Sequence, residues 1–272
     1  MQIVVCAKQV VDPLLSTADL TLDAEGRTVV ARGQEQWVVN GFDEQALEAA
    51  LRIRDKMPNT VITLLSAAER IVPAVTRRLM AVNVDEAIVI EDPRCASHDP
   101  RVVARILVAA IHRLDSVDVV FCGRQASDWD NAQVPLRMAE TLGWPCLTLA
   151  RDVQIQENRL QVRQVLPYGW QDMASPLPAV VTVTSELGEL RYPTMKGRMN
   201  AMKRHPKQWA FDDLGIAVEP ATELLSVELM HHQVGEPCRF IDGDRAADRG
   251  RALAVTLAAA GLIHVGETGG NV

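Results

Sequence analysis

The stretch VDVVFC-GRQASDWDNAQVP, residues 117–135, decides the fold. Its first six residues are an apolar run with three valines, the pattern of a strand buried on both faces of a parallel sheet. The next thirteen crowd one glycine, two acids, three side-chain amides and a proline into the space where a helix begins. Pro135 suits a first helical turn, because the N–H it lacks has no intrahelical partner there. A strand feeding such a loop and then a helix is one unit of an alternating β/α chain. The exposed N–H groups of that first turn favour an anion, most simply a phosphate.

Working outward, the alternation repeats on both sides. QIVVC (2–6), TVITLLS (60–66), EAIVI (86–90) and LPAVVTVTSE (177–186) read as buried strands. Helical spacing appears from Asp43 to Lys56, over 69–81, over 99–114 and over about 133–142. This order predicts an α/β fold, a doubly wound, mostly parallel, Rossmann-like sheet of the adenine-nucleotide α-hydrolase type. Two hairpins are added. One spans 20–31 with its turn at Glu25-Gly26; the other spans 153–165 with its turn at Glu157-Asn158. The domain division expected is 1–186 for the nucleotide-binding domain, 187–204 for a basic irregular loop, and 205–272 for a C-terminal arm. The arm carries one helix, 244–263, which Asp244 could cap, and a frayed end from Gly266.

The bulk numbers exclude several classes. The chain has 272 residues and a net charge of -7, so a general nucleic-acid binder is a poor fit. Five scattered cysteines without CxxC spacing read as reduced thiols. The His231-His232 pair has no HExxH context, so no metal site is expected. No apolar run approaches the roughly 18–20 residues that span a bilayer. Met1 to Val5 runs straight into a strand with no basic n-region, so no secretory signal is expected either. The expected location is cytoplasmic.

In doubly wound sheets ligands bind beyond the carboxyl ends of strands, where the strand order reverses. The candidate crevice therefore gathers Cys6-Ala7-Lys8-Gln9 after the first strand, Ser66-Ala67-Ala68 after the second, and the loop after Cys122. Asn40, Phe42 and Asp43 precede or open a helix and could reach an adenine edge, or simply build an N-cap with a hydrophobic staple. Gly123 would let backbone approach a ligand. Asp128 and Asp130 could take ribose hydroxyls, cap the helix, or hold the loop. No GxGxxG or GxxxxGK[ST] competes elsewhere in the chain. No nucleophile is visible: there is no GxSxG, no Cys–His arrangement and no paired carboxylate site.

Five blocks, in order, carry a resemblance. They are VCAKQVVD at the start, NGFDEQALEAALR (40–52), CGRQASDWDNAQV (122–134), LPAVVTV (177–183) and ELRYPTMKGRMNAMKR (189–204). Together they resemble the β subunit of electron transfer flavoprotein over roughly residues 1–215. The resemblance implies a heterodimer with an α subunit that holds most of a redox-active FAD. It implies a second nucleotide in the crevice above: AMP in simple carriers, a second FAD in electron-bifurcating members that exchange electrons with NADH. Residue by residue it carries over Cys6, Ala7, Asn40, Phe42, Asp43, Ser66, Ala67, Gly123, Gln125, Ala126, Asp128, Asn131, Ala132, Gln133 and Val134 as nucleotide contacts. The loop wording is closer to the bifurcating pattern, which sets FAD ahead of AMP. Trp129 and Pro135 depart from both patterns.

The segment around Met195 resembles the family's recognition loop for a flavin dehydrogenase of acyl-CoA dehydrogenase type. Tyr192, Met195, Lys196, Arg198 and Met199 would make that contact, and the C-terminal arm would wrap the α subunit. The implied role is an electron carrier without its own catalytic residues, oxidising NADH only if it bifurcates. The competing expectation, from fold alone, is a stand-alone adenine-nucleotide sensor or hydrolase.

Overall fold

A computed structural model describes residues 1–24, 26, 28–31, 37–96, 99–218, 227–228 and 238–263. Glu25 of the first predicted turn, the His231-His232 pair and the end from residue 264 lie outside them. The chain forms two compact units, Met1–Leu229 and Met230–Val272.

In the first unit, β1 (Gln2–Cys6), β2 (Gln9–Val11), β3 (Leu20–Leu22), β4 (Val29–Ala31) and β5 (Trp37–Val39) lead into helix α1 (Gly41–Lys56). There follow β6 (Val61–Ala68), α2 (Pro73–Met80), β7 (Glu86–Glu91), α3 (Pro100–His112), β8 (Val119–Gly123) and α4 (Val134–Leu142). The chain continues through β9 (Cys146–Gln156), β10 (Arg159–Leu166), β11 (Gly169–Pro176), β12 (Ala179–Val183), α5 (Met195–Lys203) and β13 (Lys207–Trp209). The second unit holds α6 (Ala246–Ala259).

Nine strands form one sheet in the order β11-β10-β9-β12-β8-β1-β6-β7-β13. Every pairing from β9 to β13 is parallel, and β10 is antiparallel to both neighbours. The fold is thus the expected doubly wound, Rossmann-like α/β sheet. The chain builds β1, β6 and β7 outward in one direction, then returns to lay β8 on the other edge of β1. The order reverses between β1 and β8, the position above which doubly wound sheets open a crevice.

The apolar runs behave as parallel strands should. All five residues of β8 and of β12 are buried, and Ile3, Val4 and Val5 of β1 are inaccessible. One core packs α1, α2 and Ala201 of α5 against one sheet face; a second packs α3 and α4 against the other. Each fully buried side chain such as Phe121 or Ile3 contributes about 1.5–3 kcal/mol by leaving water.

Both predicted hairpins are present, as β3–β4 and β9–β10. The second turns on Glu157 and Asn158 at φ of 50° and 59°, the left-handed pair of a tight two-residue turn. Three expectations change. The second hairpin is a three-stranded meander, because β11 pairs with β10 along its whole length. The basic segment expected to be irregular contains α5, whose Thr194 hydroxyl accepts from the N–H of Gly197 at 3.0 Å and caps it. Asp244 does not cap the last helix; Arg245 stands at its N-cap and makes no side-chain cap.

Candidate functional site

Helix α1 enters with its N-terminus aimed at the crevice, and two of its residues tie the crevice together. Asp43 is buried, and its carboxylate accepts the backbone N–H of Lys8 at 2.8 Å and of Gly123 at 2.9 Å. It thereby clamps the ends of β1 and β8. Burial pushes its carboxyl up to about 6, against the lowering effect of the Lys8 N–H, the Asn40 side chain and the Gly123 N–H. Asn40, 1% exposed, donates its amide to the carbonyl of Gln125 at 2.8 Å and accepts the N–H of Ser127 at 3.3 Å. It makes no cap on α1. Its work is to hold the loop that follows β8.

That loop is braced on itself. The N–H of Asp130 donates to the carbonyl of Ala126 at 2.9 Å, and the Gln125 amide donates to the Asp130 carboxylate at 2.7 Å. Lys8 and Asp128 join across the crevice mouth, with Nζ at 2.6 and 2.9 Å from the two carboxylate oxygens. Asp130 and Ala132 both sit at positive φ, 48° and 52°. A left-handed alanine costs about 1–3 kcal/mol and persists only where its surroundings impose it, a pattern that concentrates at binding sites. It turns the chain so that α4 starts facing the crevice, its first N–H groups free of intrahelical partners.

The cavity at the base of the crevice is about 170 Å³. Cys6 and Cys122 belong to its floor. Its walls include Leu65, Val103 and Leu107 on one side and Gln125, Ala126 and Trp129 on another; Asn131 to Pro135 close it at the α4 end. The wall is therefore largely apolar, with polar groups gathered at the mouth and at the helix start. The hydrogen bond with Cys6, followed by burial, pushes the Cys122 thiol well above its ordinary value. The Cys122 thiol therefore serves as neutral lining.

The structure brings together Cys6, Ala7, Asn40, Asp43, Ala67, Gly123, Gln125, Ala126, Asn131, Ala132, Gln133 and Val134 around this cavity. Three expected residues are not part of the lining. Ser66 lines a small pocket with Val75 and Leu79, on the opposite sheet face. Strand alternation explains it: Leu65 and Ala67 share the face that Ser66 avoids. The Phe42 ring sits beneath the Arg124 guanidinium, 5.5 Å from its centroid. Asp128 is spent on Lys8. Gly123 has a different reason from the one expected: a Cβ there would stand 2.5 Å from Asp43 Oδ1 and 2.6 Å from Phe42 Cβ, so helix α1, not a ligand, requires the glycine. Lys8 and Trp129 also line the cavity, and Leu65 joins them as a residue the sequence did not single out. The register Cys6↔Leu65 was the available signal for it.

The expected partner residues lie on or beside α5. Tyr192, Met195 and Met199 are 87%, 74% and 54% exposed, and Lys196 and Arg198 are exposed with them. Among the described residues no group of three or more His, Cys, Asp or Glu is placed to hold a metal, and no helix is long and apolar enough to cross a membrane.

Comparison with known proteins gives a consistent result. A family model described as electron transfer flavoprotein domain matches residues 27–214. The electron transfer flavoprotein subunit beta of Megasphaera elsdenii is 34% identical, covering 75% of this chain and 76% of its own. The caffeyl-CoA reductase-Etf complex subunit CarD of Acetobacterium woodii is 32% identical, over 80% and 82% respectively. The electron transfer flavoprotein subunit beta of Sus scrofa is 31% identical, over 74% and 80%.

Proposed function

This chain belongs to the electron transfer flavoprotein family, in its β-subunit branch, and we propose on that premise that it is the nucleotide-holding half of a heterodimeric electron carrier. The α subunit would hold the working FAD, which supplies the electron chemistry when bound. This chain would supply a rigid shoulder, a buried adenylate site and a docking helix for the electron donor, a flavin dehydrogenase of acyl-CoA dehydrogenase type.

One observation carries the adenylate site: the apolar cavity at the sheet's reversal point, into which the left-handed Ala132 directs the start of α4. The unpaired N–H groups of that first turn would take a phosphate. Leu65, Val103 and Leu107 would exclude water from the base, and Asn40 would keep the loop in place. The Lys8–Asp128 pair would border the mouth. The cavity is below the roughly 300–1,000 Å³ of pockets that take drug-sized ligands. We read it as the seat of an adenylate group. AMP itself satisfies it. So does the adenylate half of a second FAD whose flavin stays outside the cavity, the reading that the loop wording from Gln125 to Val134 favours.

Co-purification with the α subunit tests all of this, with FAD and AMP released by denaturation and counted per heterodimer. One FAD with one AMP supports a simple carrier. Two FAD with NADH oxidation support bifurcation. A colourless monomer that turns over ATP overturns the proposal in favour of a stand-alone nucleotide module.

A further inference from the structure

Among the described residues, Trp129 is the one aromatic residue that lines the cavity at the sheet's reversal point. Of the four residues from Ser127 to Asp130, it alone reaches that lining. The backbone of this stretch therefore stands back, and it is the long indole that extends to the wall. The residue keeps 36% of its surface accessible.

The indole stands on a braced mount. Asp128 before it is joined to Lys8 Nζ at 2.6 and 2.9 Å, and Asp130 after it accepts the Gln125 amide at 2.7 Å. The backbone N–H groups of Trp129 and Asp130 both donate to the carbonyl of Ala126, at 3.4 and 2.9 Å. Asn40 holds the same loop at Gln125 and Ser127. Both chain neighbours of Trp129 are thus tied down by their side chains. An aromatic group fixed in this way gives up little freedom when a ligand meets it.

The rest of the lining says what kind of ligand gains from it. Val103 and Leu107 lie one turn apart on α3 and add aliphatic surface to the same cavity. Three polar side chains of the lining spend their hydrogen bonds on the protein itself: Asp43 on the N–H groups of Lys8 and Gly123, Asn40 on the loop, and Lys8 on Asp128. A phosphate or a sugar has no π face and gains nothing from an indole. A planar base stacks on it and buries apolar area in the same contact.

We propose that Trp129 is the base-recognition residue of this site: its indole stacks on the adenine ring of the bound nucleotide, whose phosphate lies toward the start of α4. The inference rests on the adenylate reading of the cavity and adds the side chain that selects a planar base. It gives a role to a position at which this loop departs from both loop patterns.

The test uses the full chain and AMP, with Kd read by isothermal titration calorimetry and tryptophan emission followed in a parallel titration. AMP should quench part of the emission of the five tryptophans, and Trp129→Phe should abolish that change. Trp129→Leu keeps apolar bulk and loses the aromatic face, so it should weaken AMP about tenfold. Trp129→Phe keeps a π face and should hold AMP within about threefold of the parent chain. Both variants should melt at the parent temperature, since Trp129 stands in an exposed loop. Equal affinity of the Leu and Phe variants overturns the inference, because bulk alone would then matter. An emission change that survives in Trp129→Phe overturns it too. So does tighter AMP binding by Trp129→Gly, which would make the indole a plug in the cavity. In these three cases AMP still binds and the adenylate reading stands. Failure of the parent chain to bind AMP removes both.

Discussion

Asp43 accepts the backbone N–H of Gly123 at 2.9 Å, across 80 residues of chain. The same carboxylate holds Lys8. One side chain therefore joins the helix that borders the crevice to both strands beneath it.

Gly123→Ala would push a methyl group into Asp43 Oδ1 and the backbone of Phe42, which cannot retreat without shifting α1. Overpacking of this kind costs about 1–3 kcal/mol. Urea denaturation should show that loss, and AMP should bind more weakly. An unchanged midpoint would disprove the tight α1–β8 contact.

Asp43 also predicts a pH dependence. Its folded-state value, about 6, lies above the ordinary 3.8. Its contribution to stability is therefore fully present below about pH 4 and is lost as pH rises through 6, up to about 3 kcal/mol for a shift of this size. Asp43→Asn removes that slope, and it also leaves one of two backbone N–H groups facing an amide instead of an oxygen. Stability measured from pH 4 to 8 should fall with pH in the wild type across this window and run flatter in the variant.

Glu48 predicts the opposite sign. Burial raises its carboxyl, but hydrogen bonds from Arg191 and Arg52 outweigh that and hold it below its ordinary value. The stabilisation is present above the ordinary carboxylate range and disappears on acidification through the folded value. Arg191→Ala leaves a carboxylate only 6% exposed with Arg52 alone, and should cost about 1–3 kcal/mol at pH 7. Arg191→Lys should restore little, since an ammonium cannot span Glu48 and Asp55 with paired bonds. Full rescue by lysine would show that geometry is unimportant there.

Lys8→Met removes the bridge to Asp128 across the mouth of the proposed adenylate crevice. Both partners are partly exposed, so the effect on stability should be under about 1 kcal/mol. Release of bound AMP, followed by stopped-flow displacement, should accelerate several-fold. Unchanged release would mean that the bridge does not govern the mouth.

Met195→Glu places a charge on the most exposed apolar position of α5 that the proposed function uses. Reduction by an acyl-CoA dehydrogenase should show a KM raised about tenfold with flavin content unaltered. An unaffected KM would remove α5 from the docking surface.

Much of this was legible in the sequence because buried parallel strands are nearly pure runs of Val, Ile and Leu, and because strand–loop–helix order dictates a doubly wound sheet. The elements that were missed lack such signals. The strand GWQDMASP (169–176) is an edge, exposed along most of its length, and carries no alternation of apolar residues. Helix α5, MKGRMNAMK, buries only Gly197 and Ala201, while Met195, Met199 and Met202 at i, i+4 and i+7 face outward, so its apolar stripe does not mark a core-facing helix. Ser66 was taken for a crevice residue because chain order was followed where alternation should have been. Asn40 and Gly123 were picked for the right place and the wrong reason: each is demanded by protein packing, which a residue type alone does not reveal.

The position of β1 has a consequence for biosynthesis. The strand made first lies in the middle of the finished sheet, and the N–H of Gln2 finds its acceptor in Asp118, 116 residues later. Until β8 leaves the ribosome, one whole rim of β1 stays open to pairing with foreign strands. Such distant closure also makes for slow maturation. Chaperone dependence during translation should therefore end only once residue 123 has emerged.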